Sequence, residues 1–183
     1  MKIFRKMHCY LFALCVVASL SSTGLAQQAA SPEMPTAKDL SFLIGKWETS
    51  IAVKATGITP KEITGKGIAE YRLFGQAIEG SRASDTSNGH FEDREFIVYT
   101  SDQNAYLWFT LNINGTLTQR TLSRKGDLWV VQYGGQMNGK NFTARGTYKI
   151  ISANELHYTS EVDVENSGLK PFSEVIITRA PEK

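Results

Sequence analysis

The sequence predicts an all-β protein of roughly ten antiparallel strands, closed into an up-and-down barrel and led by one short N-terminal helix. Three observations carry this expectation. Apolar and polar residues alternate with period two through most of the chain after Gly45, the repeat of a strand with one buried face. Short turn signals rich in Asn and Gly separate the alternating runs, as hairpins require. No stretch between strands is long enough for a helical crossover, so consecutive strands should pair as a meander, and closure removes the exposed edges. A two-sheet sandwich is the competing arrangement.

The chain of 183 residues opens with Lys2, Arg5 and Lys6, an apolar run from Tyr10 to Leu20, and small residues ending in Gly24-Leu25-Ala26. A positive start, an apolar core of about half the length of a spanning helix and a small-residue triplet together read as a signal peptide over residues 1–26. Cys15 lies inside the apolar run behind Phe12-Ala13-Leu14, which is not a lipidation site. Cleavage would remove three of the 20 basic residues, none of the 18 acidic ones and both cysteines, Cys9 and Cys15, turning a net charge of +2 into −1. The expected product is a disulfide-free protein exported to the periplasm or the extracellular medium, with a core large enough to hold unaided. Its near-neutral charge excludes a nucleic-acid footprint.

Residues 27–36 read as a flexible arm, and residues 37–183 as the barrel domain. Leu40, Leu43 and Ile44 share one helical face, with Thr36 placed to cap and Gly45 to stop the helix. Strands are expected at 46–56, 61–74, 77–84, 90–100, 104–112, 115–124, 127–134, 141–150, 155–164 and 171–180. Turns include Asn88-Gly89, Asn114-Gly115 and Asn138-Gly139. Alternation is cleanest where Phe142, Ala144, Gly146, Tyr148 and Ile150 share one face, and where Leu156, Tyr158, Ser160, Val162 and Val164 do.

Several motifs dissolve on inspection. Gly134 to Lys140 fits GxxxxGK, but Asn141 stands where the magnesium-binding Ser or Thr belongs, and a strand follows instead of a helix. Gly65-Lys66-Gly67 opens no helix and reads as a bend or bulge. Two widely separated histidines, His90 and His157, and no remaining cysteine make no zinc site. Asp85 to Gly89 lacks the further acidic ligands of a calcium loop. Glu92, Asp93 and Glu95 read as a solvated acidic face. Asn114-Gly115-Thr116 and Asn141-Phe142-Thr143 are glycosylation sequons.

Candidate ligand-binding residues are Tyr106, Trp108, Arg120, Trp129, Tyr133 and His157. Residues 105–111 are apolar on both faces, which implies either a ligand cavity within or a covered patch without. Trp129, Val131 and Tyr133 form a second aromatic stripe, for which core packing is the competing account. Arg82, Arg94, Arg120 and Arg145 each fall within a strand; one turned inward could hold a ligand carboxylate bidentately. His157 lies opposite the apolar face of its strand. In a polar lumen it could serve as an acid/base or haem ligand, although its carboxylate neighbours disfavour ligation.

Phe42-Leu43-Ile44-Gly45-Lys46-Trp47, a helix running into Gly-x-Trp, resembles the opening of the calycin superfamily, which holds lipocalins, fatty-acid-binding proteins and nitrobindin-like proteins. A bacterial lipocalin-like group of secreted domains is similar, with a Tyr-x-x-x-x-x-x-Tyr-x-x-x-Phe hairpin and a terminal Thr-Arg. Here these fall on Tyr99, Tyr106, Thr110 in place of Phe, and Thr178-Arg179. The resemblance implies that Trp47 plugs one barrel end with Arg179 across its ring. The expected function is a binder of a small apolar or amphipathic molecule, without a membrane span and as a monomer or dimer. Later lipocalin signatures and the Arg-x-Tyr of fatty-acid-binding proteins are absent, and no cofactor or metal is expected. An isomerase- or cyclase-type enzyme using His157, and an extracellular inhibitor module, are the alternative functions.

Overall fold

The structure is a computed structural model that describes residues 36–181. The expected signal peptide and most of the arm lie outside the described residues. Ten strands follow one short helix. They are β1 (Gly45–Val53), β2 (Ile63–Phe74), β3 (Ala77–Thr86), β4 (Gly89–Thr100), β5 (Ala105–Asn112), β6 (Leu117–Lys125), β7 (Leu128–Met137), β8 (Lys140–Ser152), β9 (Glu155–Val164) and β10 (Lys170–Arg179). Each pairs antiparallel with the next, and β1 pairs with β10, so the sheet closes into a barrel. The sandwich is thereby excluded. The Asn-Gly turns work as expected: Asn138 and Gly139 both adopt positive φ between β7 and β8, as a tight hairpin requires.

The helix is a 3-10 turn over Ala37–Leu43 rather than an α-helix. Thr36 caps it, with its own amide donating to Asp39 Oδ2 at 2.6 Å, completing a reciprocal capping box. Leu40 and Leu43 are buried and pack with Trp47, Leu122 and Trp129, so the helix closes one end of the barrel. Phe42 lies against Trp129 with ring centroids 5.5 Å apart. The Tyr106 hydroxyl donates to Thr36 O at 2.9 Å.

Trp47 sits where the resemblance implies. It is 1% exposed, its indole N–H donates to Leu43 O at 2.7 Å, and the Arg179 guanidinium lies 4.0 Å above the ring. Trp47 and Arg179 face each other across the closing β1–β10 ladder. Gly45 does more than end the helix: its φ of +121° is one few residues adopt, and a Cβ there would overlap Arg179.

Gly65 and Gly67 make no bulge, because the β1–β2 and β2–β3 registers run through them unbroken. A Cβ at either would press on the β3 backbone at Asp85 or Ala83. The glycines thus let β2 and β3 approach closely along this stretch.

At the opposite end, the β1–β2 loop turns inward. Ile58 is 1% exposed among Ala144 and Val162, and its carbonyl accepts from Asn138 Nδ2 at 2.9 Å. The loop therefore covers part of the mouth on the β7–β9 side.

Candidate functional site

Between the helical plug and the mouth lies a cavity of about 400 Å³, within the range of small-molecule sites. Its apolar lining includes Val53, Ile63, Phe91, Phe172 and Val175 near the mouth and Leu43 and Trp47 at the plug. Polar groups open onto it from several strands: Thr49, Arg82, Asp93, Arg120, Tyr133, Tyr148 and Tyr158. Glycines create the room. A Cβ at Gly146 would overlap the Tyr158 ring, and one at Gly80 the Tyr71 ring, so both tyrosines lie flat across a bare stretch of strand.

Two polar groupings stand in this lumen. The first surrounds Arg120. Its guanidinium lies 5.1 Å from the Tyr133 ring centre and 5.9 Å from that of Trp108, arrangements that favour a cation. Trp108 in turn stacks on Tyr148 at 6.0 Å. Arg120 forms no ion pair with a carboxylate among the described residues. Its Nε and the Nε1 of Trp108, its cross-strand neighbour, are both buried donors without an acceptor. A buried donor left unpaired costs about 1–3 kcal/mol.

The second grouping joins β2, β3 and β4. Arg82 binds Asp93 Oδ2 through Nε at 3.1 Å and through its terminal nitrogen at 2.5 Å. It also lies 3.8 Å from Glu95. Glu95 is completely buried; it accepts from the Tyr71 hydroxyl at 2.5 Å and from Thr110 at 3.3 Å. Burial alone would lower the pKa of Arg82, but the charges of Glu95 and Asp93 hold it well above its ordinary value. Burial, and then the Glu95 charge, push Tyr71 far up and Tyr148 up to about 12. Burial likewise raises Tyr158. The phenols of Tyr71, Tyr148 and Tyr158 therefore stay protonated and serve as neutral hydrogen-bonding groups.

The sequence candidates divide. Arg120 and Tyr133 line the cavity, and Trp108 packs directly behind them. Tyr106 and Trp129 point inward but belong to the plug: Trp129 lies between Phe42 and Tyr106. His157 is corrected as a lumen candidate. It stands between the inward-facing Leu156 and Tyr158 on the outer face, 38% exposed, held by Glu155 at 2.6 Å. His90 also faces outward, bonded to Asp85 and Glu92. Neither histidine of the barrel reaches the lumen, so its lining offers no imidazole to a haem iron.

Arg94 and Arg145 are outward, the latter paired with Glu161, whereas Arg82 and Arg120 are inward. The acidic stretch is the larger correction. Glu92 is solvated, but Asp93 and Glu95 share the inner face with Ile97. Tyr71, Tyr148 and Tyr158 were not among the candidates either.

No family model matches the sequence, and no curated protein matches it. Two solved structures share the architecture. One is Rv2717c from M. tuberculosis, with a TM-score of 0.59 and 15% identity, the match covering 80% of this chain and 98% of that one. The other is an S-type phycobiliprotein lyase from Guillardia theta, with a TM-score of 0.55 and 10% identity, the match covering 81% of this chain and 95% of that one. At these identities the likeness carries the fold alone: a closed ten-stranded antiparallel barrel.

Proposed function

We propose that this chain is an exported lipocalin-like binding protein that holds a small amphipathic anion, with its acidic group at Arg120 and its apolar body directed toward the mouth. The observation that carries this reading is the unpaired inward cation. Arg120 has aromatic neighbours instead of a carboxylate, and its Nε and Trp108 Nε1 are buried without an acceptor. A carboxylate in the cavity beside the Arg120 guanidinium would supply the missing counter-charge through charge-assisted bonds. Tyr133 flanks the same point, and Val53, Ile63, Phe91 and Phe172 supply a dry path for an alkyl or ring body. A binder is favoured over a His157-based enzyme because that histidine lies on the outer surface. Export rests on the leader-like first 26 residues.

Native mass spectrometry of the purified protein tests the reading. The expected result is a bound anionic amphipath of a few hundred daltons, released by mild activation and missing from Arg120→Met. A wild-type protein that neither carries such a molecule nor takes up added decanoate overturns it.

A further inference from the structure

The second polar grouping restricts the ligand further. Four charged side chains stand at or behind the cavity wall, Arg82, Arg120, Asp93 and Glu95; they sum to zero, yet they do not pair evenly. Both carboxylates stand around Arg82, and Arg120 stands alone. The lumen therefore has a cationic pole on β6 and an acceptor-rich pole on β3 and β4.

Glu95 is fully buried behind this pole, with one oxygen bonded by Tyr71 and the other by Thr110. Asp93 differs. Its Oδ2 takes both Arg82 bonds, its Oδ1 has no partner among the described residues, and it lines the cavity. On β1, Thr49 also lines the cavity, with its hydroxyl oxygen buried and without a hydrogen-bond partner.

The register sets the spacing. Arg120 faces Trp108, and Asp93 faces Asn112, so the poles are two strands and four residues apart. That is about 10 Å across and about 13 Å along the wall, before the side chains reach inward.

We infer, resting on the anion site proposed at Arg120, that the ligand is bifunctional: an acid at the Arg120 end and a hydrogen-bond donor, hydroxyl or ammonium, received by Asp93 Oδ1 at the other. A monofunctional acid would leave Asp93 Oδ1 dry and unpaired beside alkyl carbon. A donor at that distance satisfies it, and sites built to bond a substrate hydroxyl discriminate strongly against analogues that lack it. Decanoate and its ω-hydroxy derivative serve as probes that differ only in the distal donor.

The test is calorimetric titration of the full chain with decanoate, ω-hydroxydecanoate and decane-diol, using wild type and Asp93→Asn. The substitution keeps a carbonyl oxygen for Arg82 and turns the free lumen atom from acceptor to donor. The expected result is at least tenfold tighter binding of ω-hydroxydecanoate than of decanoate by wild type. Asp93→Asn should lose that preference.

Equal affinities in wild type, or a preference that survives Asp93→Asn, overturn the inference and leave the Arg120 site standing. Diol binding that depends on Asp93, with no binding of either acid, overturns the Arg120 site and leaves the acceptor pole standing. No binding of any probe overturns both.

Discussion

Replacing Trp47 by alanine removes the one side chain that joins plug, first strand and last strand. The indole is 1% exposed, and truncating a buried Trp costs about 3–5 kcal/mol in lost transfer energy and cavity formation. Two structural features place this variant at the upper end. The Leu43 carbonyl loses the N–H that reaches it at 2.7 Å, which adds about 1 kcal/mol. The guanidinium of Arg179 loses the face it covers at 4.0 Å, worth about 0.5–1 kcal/mol at a partly exposed site. The expected loss is about 4–5 kcal/mol, or roughly 10–20 °C in Tm for a domain of this size. Urea unfolding followed by far-UV circular dichroism measures it without relying on the removed fluorophore. Trp47→Phe, which keeps a ring but no donor, should lose only about 1–2 kcal/mol. A loss below about 1 kcal/mol for the alanine variant would refute the plug assignment.

The two inward arginines should behave oppositely. Arg120→Met removes an unpaired cation and leaves stability unchanged or about 1 kcal/mol higher by urea titration, whereas Arg82→Met strands Asp93 and Glu95 and costs about 3 kcal/mol. Similar losses in both would mean that Arg120 is structural. Gly146→Ala forces a Cβ into the Tyr158 ring and should cost about 1–3 kcal/mol; a neutral result would mean that the tyrosine can move aside freely. Alkaline pH should destabilise the barrel. Tyr148 titrates near 12 in the fold against 10.0 for a free phenol, with Tyr71 and Tyr158 also raised. The folded state therefore holds protons that the unfolded chain releases, and the stability they contribute is complete below pH 10.0 and lost as the pH climbs toward 12. Urea midpoints that stay constant from about pH 9 to about pH 11.5 would contradict the buried-phenol lumen.

Strand number and the plug are legible in the sequence because both rest on local signals: a two-residue period, Asn-Gly turns, and a capped helix ahead of Gly-x-Trp. The lumen chemistry was harder to see for a specific reason. In residues 90–95, charged or polar side chains occupy both faces of β4, so composition alone suggests a solvated strand. Parity with Ile97 turns Asp93 and Glu95 inward. The Asn88-Gly89 hairpin, which pairs Thr86 with Gly89, sets Arg82 opposite Asp93 four residues on. Both inferences need only turn register and alternation. Tyr106 and Trp129 could not be told from ligand-facing aromatics, because depth along the barrel axis depends on strand stagger, and closure alone fixes that. The 3-10 form of the helix was also hidden, since Leu40 and Leu43 are three residues apart and suit either helix.

A crystal structure of the protein soaked or grown with decanoate tests the central claim most directly. The account predicts the carboxylate within about 3 Å of the Arg120 guanidinium, with the alkyl chain running toward Phe91 and Phe172. A chain inserted with its carboxylate at the mouth, or density only on the outer wall while the lumen stays closed, would contradict it.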